Sequence, residues 1–421
     1  MTRTYRCTAT RVVVVAAALA GMLGVLFGQA LAQDGGGARM PALERGINLA
    51  RAFNLPRRDA DGELVGEPFS GPGAAVSDTE IATLAAVGFD HVRLPIDIGV
   101  MLDADTERRG DLLGRLEAFA KRLQGAGLEV LLDPHPYPGD PRWTAETILT
   151  GLDAERYGRY RALLLDIADV AGRLDVGRTA LGLMNEPQRA CRAEEGTDWT
   201  IFQEDLYEAV RDMAPTLPIV LTTGCWSGIQ ALPELDMASY DDNTFIDLHF
   251  YDPYIFTHQS APWVIKPFRF VAGLAYPASE GSTIGTLRSS NRWQDEMGNV
   301  GVGDSASAAK VIADYYVRVR ADRGTIDGAF DAITAWTEAN DVSADRILVG
   351  EFGAWRLQPP LAEAADGSRE RWLRDVRLSI EERGFGWAHW EYTSPFGIVA
   401  DEETRALDPA TLRALGLSVS P

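Results

Sequence analysis

The chain has 421 residues, with 40 Lys and Arg against 61 Asp and Glu, and a formal charge of −21. A surface that acidic repels nucleic acid and anionic membrane and leaves a neutral polymer unaffected, so neither nucleic acid nor a lipid surface is an expected partner. Only 5 histidines and 3 cysteines are present, in no spacing that resembles a zinc site.

Arg3, Arg6 and Arg11 lead into an almost wholly apolar run over residues 12–27, followed by Ala30-Leu31-Ala32. A positive start, a short apolar stretch and small residues at the cleavage positions predict a signal peptide over residues 1–32. The run is short for a membrane span, and an uncleaved anchor is the competing reading. Cleavage would remove three arginines, Cys7 and no acid, leaving −24. The mature protein is then expected to be secreted or periplasmic, soluble and monomeric, with no membrane association. Residues 33–41 are Gly-rich and read as a flexible leader. Residues 42–421, about 380 of them, exceed the usual single core but suit one large barrel. Cys191 and Cys225 remain as an even pair in an exported chain, compatible with one disulfide or with two buried thiols.

From there short apolar runs alternate with amphipathic stretches, the mark of a parallel sheet covered by helices. Strands are expected at 46–49, 90–94, 129–133, 179–184, 219–223, 245–250, 347–351 and 386–390. Helices are expected at 79–87 behind an Asp78 cap, at 112–123, from Asp153 to 174, at 199–213 and at 369–382. Eight strands, each followed by a helix, predict an α/β fold, a single (β/α)8 barrel. A doubly wound sheet is the rival, but it normally has fewer strands and a Gly-rich first turn. The longest irregular stretch follows strand six, an insertion over about 252–303. A loop of that length on the active-site side of a barrel is usually functional.

In a barrel, catalytic groups sit where strands end at the C-terminal face. Strand four ends Asn185-Glu186-Pro187 and strand seven ends Gly350-Glu351-Phe352-Gly353. Two carboxylates at one mouth are what glycosidic hydrolysis needs: one protonates the leaving oxygen, the other attacks the anomeric carbon or activates water, and their separation decides which. Other polar strand ends are Asn48, Arg93, His135, His249, Tyr251 and Trp390. Each has a plainer reading: a salt bridge for Arg93, a turn cap for His135 between Pro134 and Pro136, core packing for His249, Tyr251 and Trp390, backbone satisfaction for Asn48. Asp133, His258 and His389 read as structural. An arginine near Glu351 should lower its pKa, whereas burial and the Glu351 anion should raise that of Glu186. Trp143, Trp226, Trp263, Trp293 and Trp355 fall in or near post-strand loops, as stacking platforms or as packing anchors.

Taken together, these strand ends resemble glycoside hydrolase family 5, the cellulase family of retaining barrel glycosidases, from about Leu43 to Leu417. The resemblance implies Glu186 as acid/base and Glu351 as nucleophile. It implies Arg93 holding the nucleophile, His135, His249 and Tyr251 lining the reacting subsite, Asn185 meeting the sugar 2-hydroxyl and Trp390 as platform. It implies no cofactor and no metal, a β-linked polysaccharide or oligosaccharide as partner, and most directly an endo-β-1,4-glucanase. Mannan, xyloglucan or another β-glycan under the same mechanism is the first alternative. A non-catalytic carbohydrate-binding barrel is the second, and a metal-dependent barrel hydrolase, separable by chelator, the third. The post-strand-six segment is longer than usual in the family, and Pro134-His135-Pro136 is stiffer, which puts the placement of His135 in question.

Overall fold

The computed structural model describes residues 40–418 apart from 60, 61, 72, 138, 190, 192–198, 299 and 359–366. The expected signal peptide and nearly all of the leader lie outside the described residues. No helix among the described residues is long and apolar enough to cross a membrane.

Eight parallel strands close into a barrel in chain order. They are β1 (Arg45–Asn48), β2 (His91–Asp97), β3 (Glu129–His135), β4 (Thr179–Gly182), β5 (Ile219–Thr222), β6 (Thr244–Phe250), β7 (Ile347–Phe352) and β8 (Gly386–His389). All eight expected strands are present, with ends shifted by up to three residues. Pairing with β3 carries β2 on to Asp97, and β3 itself runs through Pro134 to His135. Parallel strands buried on both faces read as near-continuous apolar runs, which is why they were visible.

The alternation along each strand sorts its residues between two cores. Ile47, Leu49, Val92, Leu94, Val130, Leu132, Ile246, Leu248, Ile347 and Val349 pack in the large cluster beneath the helices. The intervening Leu131, Ala180, Val220, Phe245 and Leu348 form, with Leu43, a smaller cluster inside the barrel. Side chains alternate faces along a strand, so Asn48, Arg93, Asp133, Asp247 and His249 must also point inward.

Covering helices are α1 (Asp78–Val87), α2 (Thr106–Gly125), α3 (Glu155–Gly172) and α4 (Trp199–Met213). The first is capped by Ser77 in a capping box with Glu80, not by Asp78, which is the first helical residue. After β5 no long helix follows; a short kinked turn and two 3-10 turns take its place. The stretch after β6 is not an irregular loop. It contains α5 (Thr283–Met297) and α6 (Val302–Asp314), then α7 (Arg323–Ala339), before β7. The excursion therefore runs on past 303. Tyr276 anchors it, accepting at its backbone oxygen from Arg371 and donating its hydroxyl to Asp375 of α8 (Ser368–Glu381). A last helix, α9 (Pro409–Ala414), closes the chain.

Candidate active site

Arg93 is the hub of the barrel mouth. It is fully buried and faces three carboxylates: Nη1 donates to Glu351 Oε1 at 2.8 Å, Nη2 lies 3.0 Å from Asp133 Oδ2, and Nε 3.5 Å from Asp247 Oδ2. Nη1 also donates to Asn48 Oδ1 at 3.0 Å and Nη2 to Asn185 Oδ1 at 2.6 Å. Burial opposes the charge, but Asp133, Glu351 and Asp247 outweigh it, so the guanidinium is held ionised above its usual range. Asn48 in turn donates to the carbonyl of Gly350 at 2.9 Å, tying β1 to the end of β7. It therefore satisfies backbone, as considered for it, and also accepts from Arg93, a contact that was not foreseen.

Glu351 reaches the interior only through a break in the ladder. Ile347 and Val349 face the helices, so strict alternation would send residue 351 outward. The β6–β7 pairing skips Gly350, matching Leu248 with Val349 and His249 with Glu351. The bulge turns Glu351 inward, and Phe352 returns to the outer core. Only glycine fits at the bulge: a Cβ on Gly350 would sit 2.3 Å from Asp247 Oδ1, which accepts the Gly350 N–H at 2.7 Å. Gly353 is pinned likewise, its absent Cβ lying 2.4 Å from the Trp390 carbonyl oxygen. The Gly-Glu-Phe-Gly sequence is thus a packing requirement around one carboxylate. Glu351 Oε2 accepts from the Tyr251 hydroxyl at 2.9 Å, so both of its oxygens are held.

Glu186 follows β4 on a left-handed backbone, φ +42°, uncommon for a non-glycine residue and costing on the order of 1–3 kcal/mol. The preceding Asn185 N–H donates to the Pro134 carbonyl, and the Tyr160 hydroxyl donates to that of Leu183. Glu186 Oε1 accepts from His249 Nδ1 at 2.8 Å, and the same nitrogen lies 3.7 Å from Glu351 Oε2. One oxygen of each glutamate and a ring nitrogen of His249 lie within 4.8 Å of one another.

His135 does reach the site despite its flanking prolines. Asn185 Nδ2 donates to its Nε2 at 3.1 Å, so its Nδ1–H donates to Asp133 at 3.2 Å. Trp390 is half-buried, its ring 6.0 Å from that of His135 at 23°. The structure therefore brings together Glu186, Glu351, Arg93, His135, Asn185, His249, Tyr251 and Trp390. Asp133 and Asp247, the first set aside as structural and the second not singled out, complete the charge network around Arg93. Their signal was available: both lie on strands at inward positions.

The charges differ in sign from expectation. Burial raises Glu351, and the nearby charges of His249 and Arg93 do not fully offset it. Burial also favours neutral Glu186, but the bond and charge of His249 outweigh it, so that carboxyl is lowered. The unforeseen agent is His249: burial would neutralise it, yet Glu351, Asp247 and Glu186 push it up to about 10. The Tyr251 hydroxyl is held protonated by burial and by the Glu351 charge. Among the described residues the two glutamates and His249 are the one cluster of three metal-type donors. In the unliganded site His249 Nδ1 donates to Glu186, while Arg93 and Tyr251 each hold one oxygen of Glu351.

Of the loop tryptophans, Trp143 and Trp355 are buried anchors and the Trp293 indole donates to the Arg269 carbonyl. Trp226 and Trp263 are exposed, at 49% and 58%. Cys191 and Cys225 are disulfide-bonded. The bond joins the β4 and β5 ends where Trp226 N–H donates to the Pro187 carbonyl, next to Glu186.

The family model for cellulase, glycosyl hydrolase family 5, matches residues 64–395. The chain belongs to that family. Endoglucanase 3 of Fibrobacter succinogenes is 22% identical over 374 residues, covering 86% of this chain and 51% of that protein; the chain spans about half the length of this relative. Endoglucanase C of Acetivibrio thermocellus is 23% identical over 325 residues, covering 75% of this chain and 84% of that one. Among solved structures, Thermotoga maritima Cel5A in complex with mannotriose superposes with a TM-score of 0.62 at 24% identity, over 89% of this chain and 97% of that chain. That likeness bears on the fold, and it places this family 5 chain among (β/α)8 barrels.

Proposed function

We propose that this family 5 chain is an exported, retaining endo-β-1,4-glucanase, with Glu351 as nucleophile and Glu186 as acid/base. The carrying observation is the carboxylate pair, whose facing oxygens lie within 4.8 Å. Retaining pairs stand about 5–5.5 Å apart, whereas inverting pairs need roughly 6.5–9.5 Å to admit a water. The named relatives support the choice of a β-1,4-glucan, and the arginine-led apolar start supports export.

In the first step a Glu351 oxygen bonds to the anomeric carbon, the glycosidic C–O bond breaks, and Glu186 gives its proton to the leaving oxygen. Glu351 enters as an oriented anion because Arg93 and Tyr251 fix both oxygens. The proton for the leaving oxygen is already on the Glu186–His249 pair. Unliganded, the pair is charge-separated, anion beside imidazolium. A sugar that excludes water removes the solvation favouring separated charge, and the proton moves along the 2.8 Å bond to leave Glu186 neutral. Once Glu351 is an ester its charge is gone. The proton affinity of Glu186 then falls, which suits it to take a proton from water as water attacks the anomeric carbon and Glu351 departs. Asn185 retains one amide N–H and one oxygen lone pair beyond its bonds to Arg93 and His135, enough to meet a sugar hydroxyl.

The test is a panel of soluble polysaccharides: carboxymethyl-cellulose, mixed-linkage glucan, mannan, xylan and xyloglucan. Reducing ends and product lengths are read, with Glu351→Gln as control. Cutting of β-1,4-glucans into mixed oligosaccharides, lost in the variant, is expected. Cutting of another polymer alone would replace the substrate. Binding without cleavage, equal in both proteins, would make this a carbohydrate-binding barrel.

A further inference from the structure

Asp247 takes no part in bond making or breaking, yet it touches both halves of the machinery. It lies on β6, buried, at an inward position two residues before His249. Its Oδ1 accepts the Gly350 N–H at 2.7 Å. Its Oδ2 stands 3.5 Å from Arg93 Nε and 3.7 Å from His249 Nε2. One oxygen thus meets the strand of the nucleophile, and the other meets the ring that shares its proton with the acid.

The first contact sits where the β6–β7 ladder breaks. Leu248 pairs with Val349 and His249 with Glu351, so Gly350 faces no residue of β6. The extra residue of a bulge loses its ladder bond, and its buried N–H then needs another acceptor. The Asp247 carboxylate supplies one, and a charged acceptor binds more firmly than a carbonyl. Its own backbone is braced from β5, where the Thr222 hydroxyl donates to the Asp247 carbonyl at 3.0 Å. The second contact bears on charge. His249 Nδ1 faces Glu186 at 2.8 Å and Glu351 at 3.7 Å, and its Nε2 faces Asp247 and, at 3.4 Å, Arg93 Nη2. On the Nε2 side Asp247 therefore offsets a cation. Without it, Arg93 would face that nitrogen unopposed and favour a neutral ring whose lone pair accepts from the guanidinium.

We propose, on the roles given above to Glu186 and Glu351, that Asp247 is a positioning residue for both: one oxygen locks the bulge that presents Glu351, and the other keeps His249 in the protonated form that supplies Glu186. Both effects pass through other groups, so loss of Asp247 should appear in kcat and in pH dependence rather than in KM. As a mere counter-ion of Arg93 it would show in stability alone.

The experiment compares full-length wild type, Asp247→Asn and Asp247→Ala. The amide keeps an oxygen for the Gly350 N–H and removes the charge; alanine removes both. Kinetics against pH are measured on a soluble β-glucan and on a dinitrophenyl β-cellobioside, whose leaving group needs no proton. In Asp247→Asn the alkaline limb on the polymer is expected to move down by about one pH unit or more, with no such shift on the small substrate. Asp247→Ala is expected to lose about 10²-fold in kcat on both, because Glu351 is then misplaced. A second reading needs no substrate: with only 5 histidines in the chain, ¹⁵N-labelled rings can be followed by NMR, His249 being assigned by His249→Gln. The His249 ring should lose its proton at lower pH in Asp247→Asn than in wild type. An amide variant with a wild-type limb and wild-type His249 titration would overturn the proposal, whatever its stability in urea. So would an alanine variant that keeps wild-type kcat on the dinitrophenyl substrate. A wild type that cleaves no glycan, while His249 still titrates lower in Asp247→Asn, would refute the hydrolase reading and leave the hold of Asp247 on His249 standing.

Discussion

The two glutamates sit in contrasting surroundings. The Glu351 side chain is 6% exposed, turned inward by a bulge and held at both oxygens; Glu186 is 25% exposed, on a left-handed backbone, with a single ring as partner. A nucleophile gains from fixed orientation, since attack needs its lone pair on line. An acid that later becomes a base needs a proton relay and access for water. The difference teaches that one barrel mouth can make two carboxyls unlike by backbone geometry together with the side-chain partners it selects: the bulge at Gly350 turns one in to Arg93 and Tyr251, and the turn before Pro187 leaves the other with His249 alone.

The sharpest way to break this contrast is to remove each carboxylate and change the leaving group. Glu351→Gln is expected to lose roughly 10⁴-fold or more on every substrate, because the amide that replaces the carboxylate cannot form the glycosyl ester. Glu186→Gln is expected to lose about 10²–10⁴-fold on polymer, but to keep near-normal formation of the intermediate with a dinitrophenyl glycoside, which leaves without a proton. Added azide should then speed its turnover. Equal losses for the two variants on both substrates would dissolve the assignment.

A smaller effect is expected at the hub between them. Arg93 faces Asp133, Asp247 and Glu351 from inside the barrel. Arg93→Ala leaves three buried carboxylates without their counter-charge, at a cost of about 3–5 kcal/mol of stability. Arg93→Lys keeps the charge but not the fork that reaches Asn48, Asn185 and Glu351 together, and should lower kcat by about 10²–10³-fold. Denaturant unfolding and kinetics on both variants check this. A lysine variant with full kcat would reduce Arg93 to a structural ion pair.

How far the sequence shows this contrast depends on which physical signal each part leaves. The strands were legible because both faces are apolar, and strand ends sort polar groups to one rim. Arg93 and His249 follow from that alternation. Glu351 does not: alternation counted from Ile347 points it outward, and only a bulge that sequence cannot display turns it in. The left-handed Glu186 is equally silent, since no glycine marks it. Neither could pKa signs be read, because they hang on one imidazole nitrogen lying between two carboxylates. The helices α5 to α7 escaped for another reason. Their segments are rich in Gly, Ser, Thr and Asp, which read as loop, and the apolar positions that hold them, such as Ile312, Ile326, Phe330 and Ile333, were not counted as a face.

The smallest effect concerns the histidines behind the two glutamates. His249, pushed up to about 10, stays charged through the neutral range, and its contribution is complete below its ordinary 6.5 and lost only as pH rises through 10. His258 and His389 are the opposite case: burial holds both near 3. As pH falls below 6.5 the unfolded chain takes a proton on each and the folded chain does not, so stability must fall, by at most about 1.4 kcal/mol per pH unit for each ring. Glu391 works against them. Burial pushes it up to about 7, so between its ordinary 4.5 and 7 the folded chain holds a proton that the unfolded chain has released. Between pH 6.5 and 4.5 it offsets about one of the two histidines, and Glu351 and Asp97, also raised by burial, act in the same direction, so the net loss should be at most about 1.4 kcal/mol per unit. Urea unfolding at pH 6.5, 5.5 and 4.5 reads the slope rather than the absolute stability, so a variant that is merely weaker does not mislead. His258→Gln should flatten the slope and Glu391→Gln should steepen it. An unchanged slope in His258→Gln would mean that this ring takes up its proton as readily in the fold as in the unfolded chain, and its flat contact with Tyr254 at 3.9 Å would then be that of a cation near Glu186.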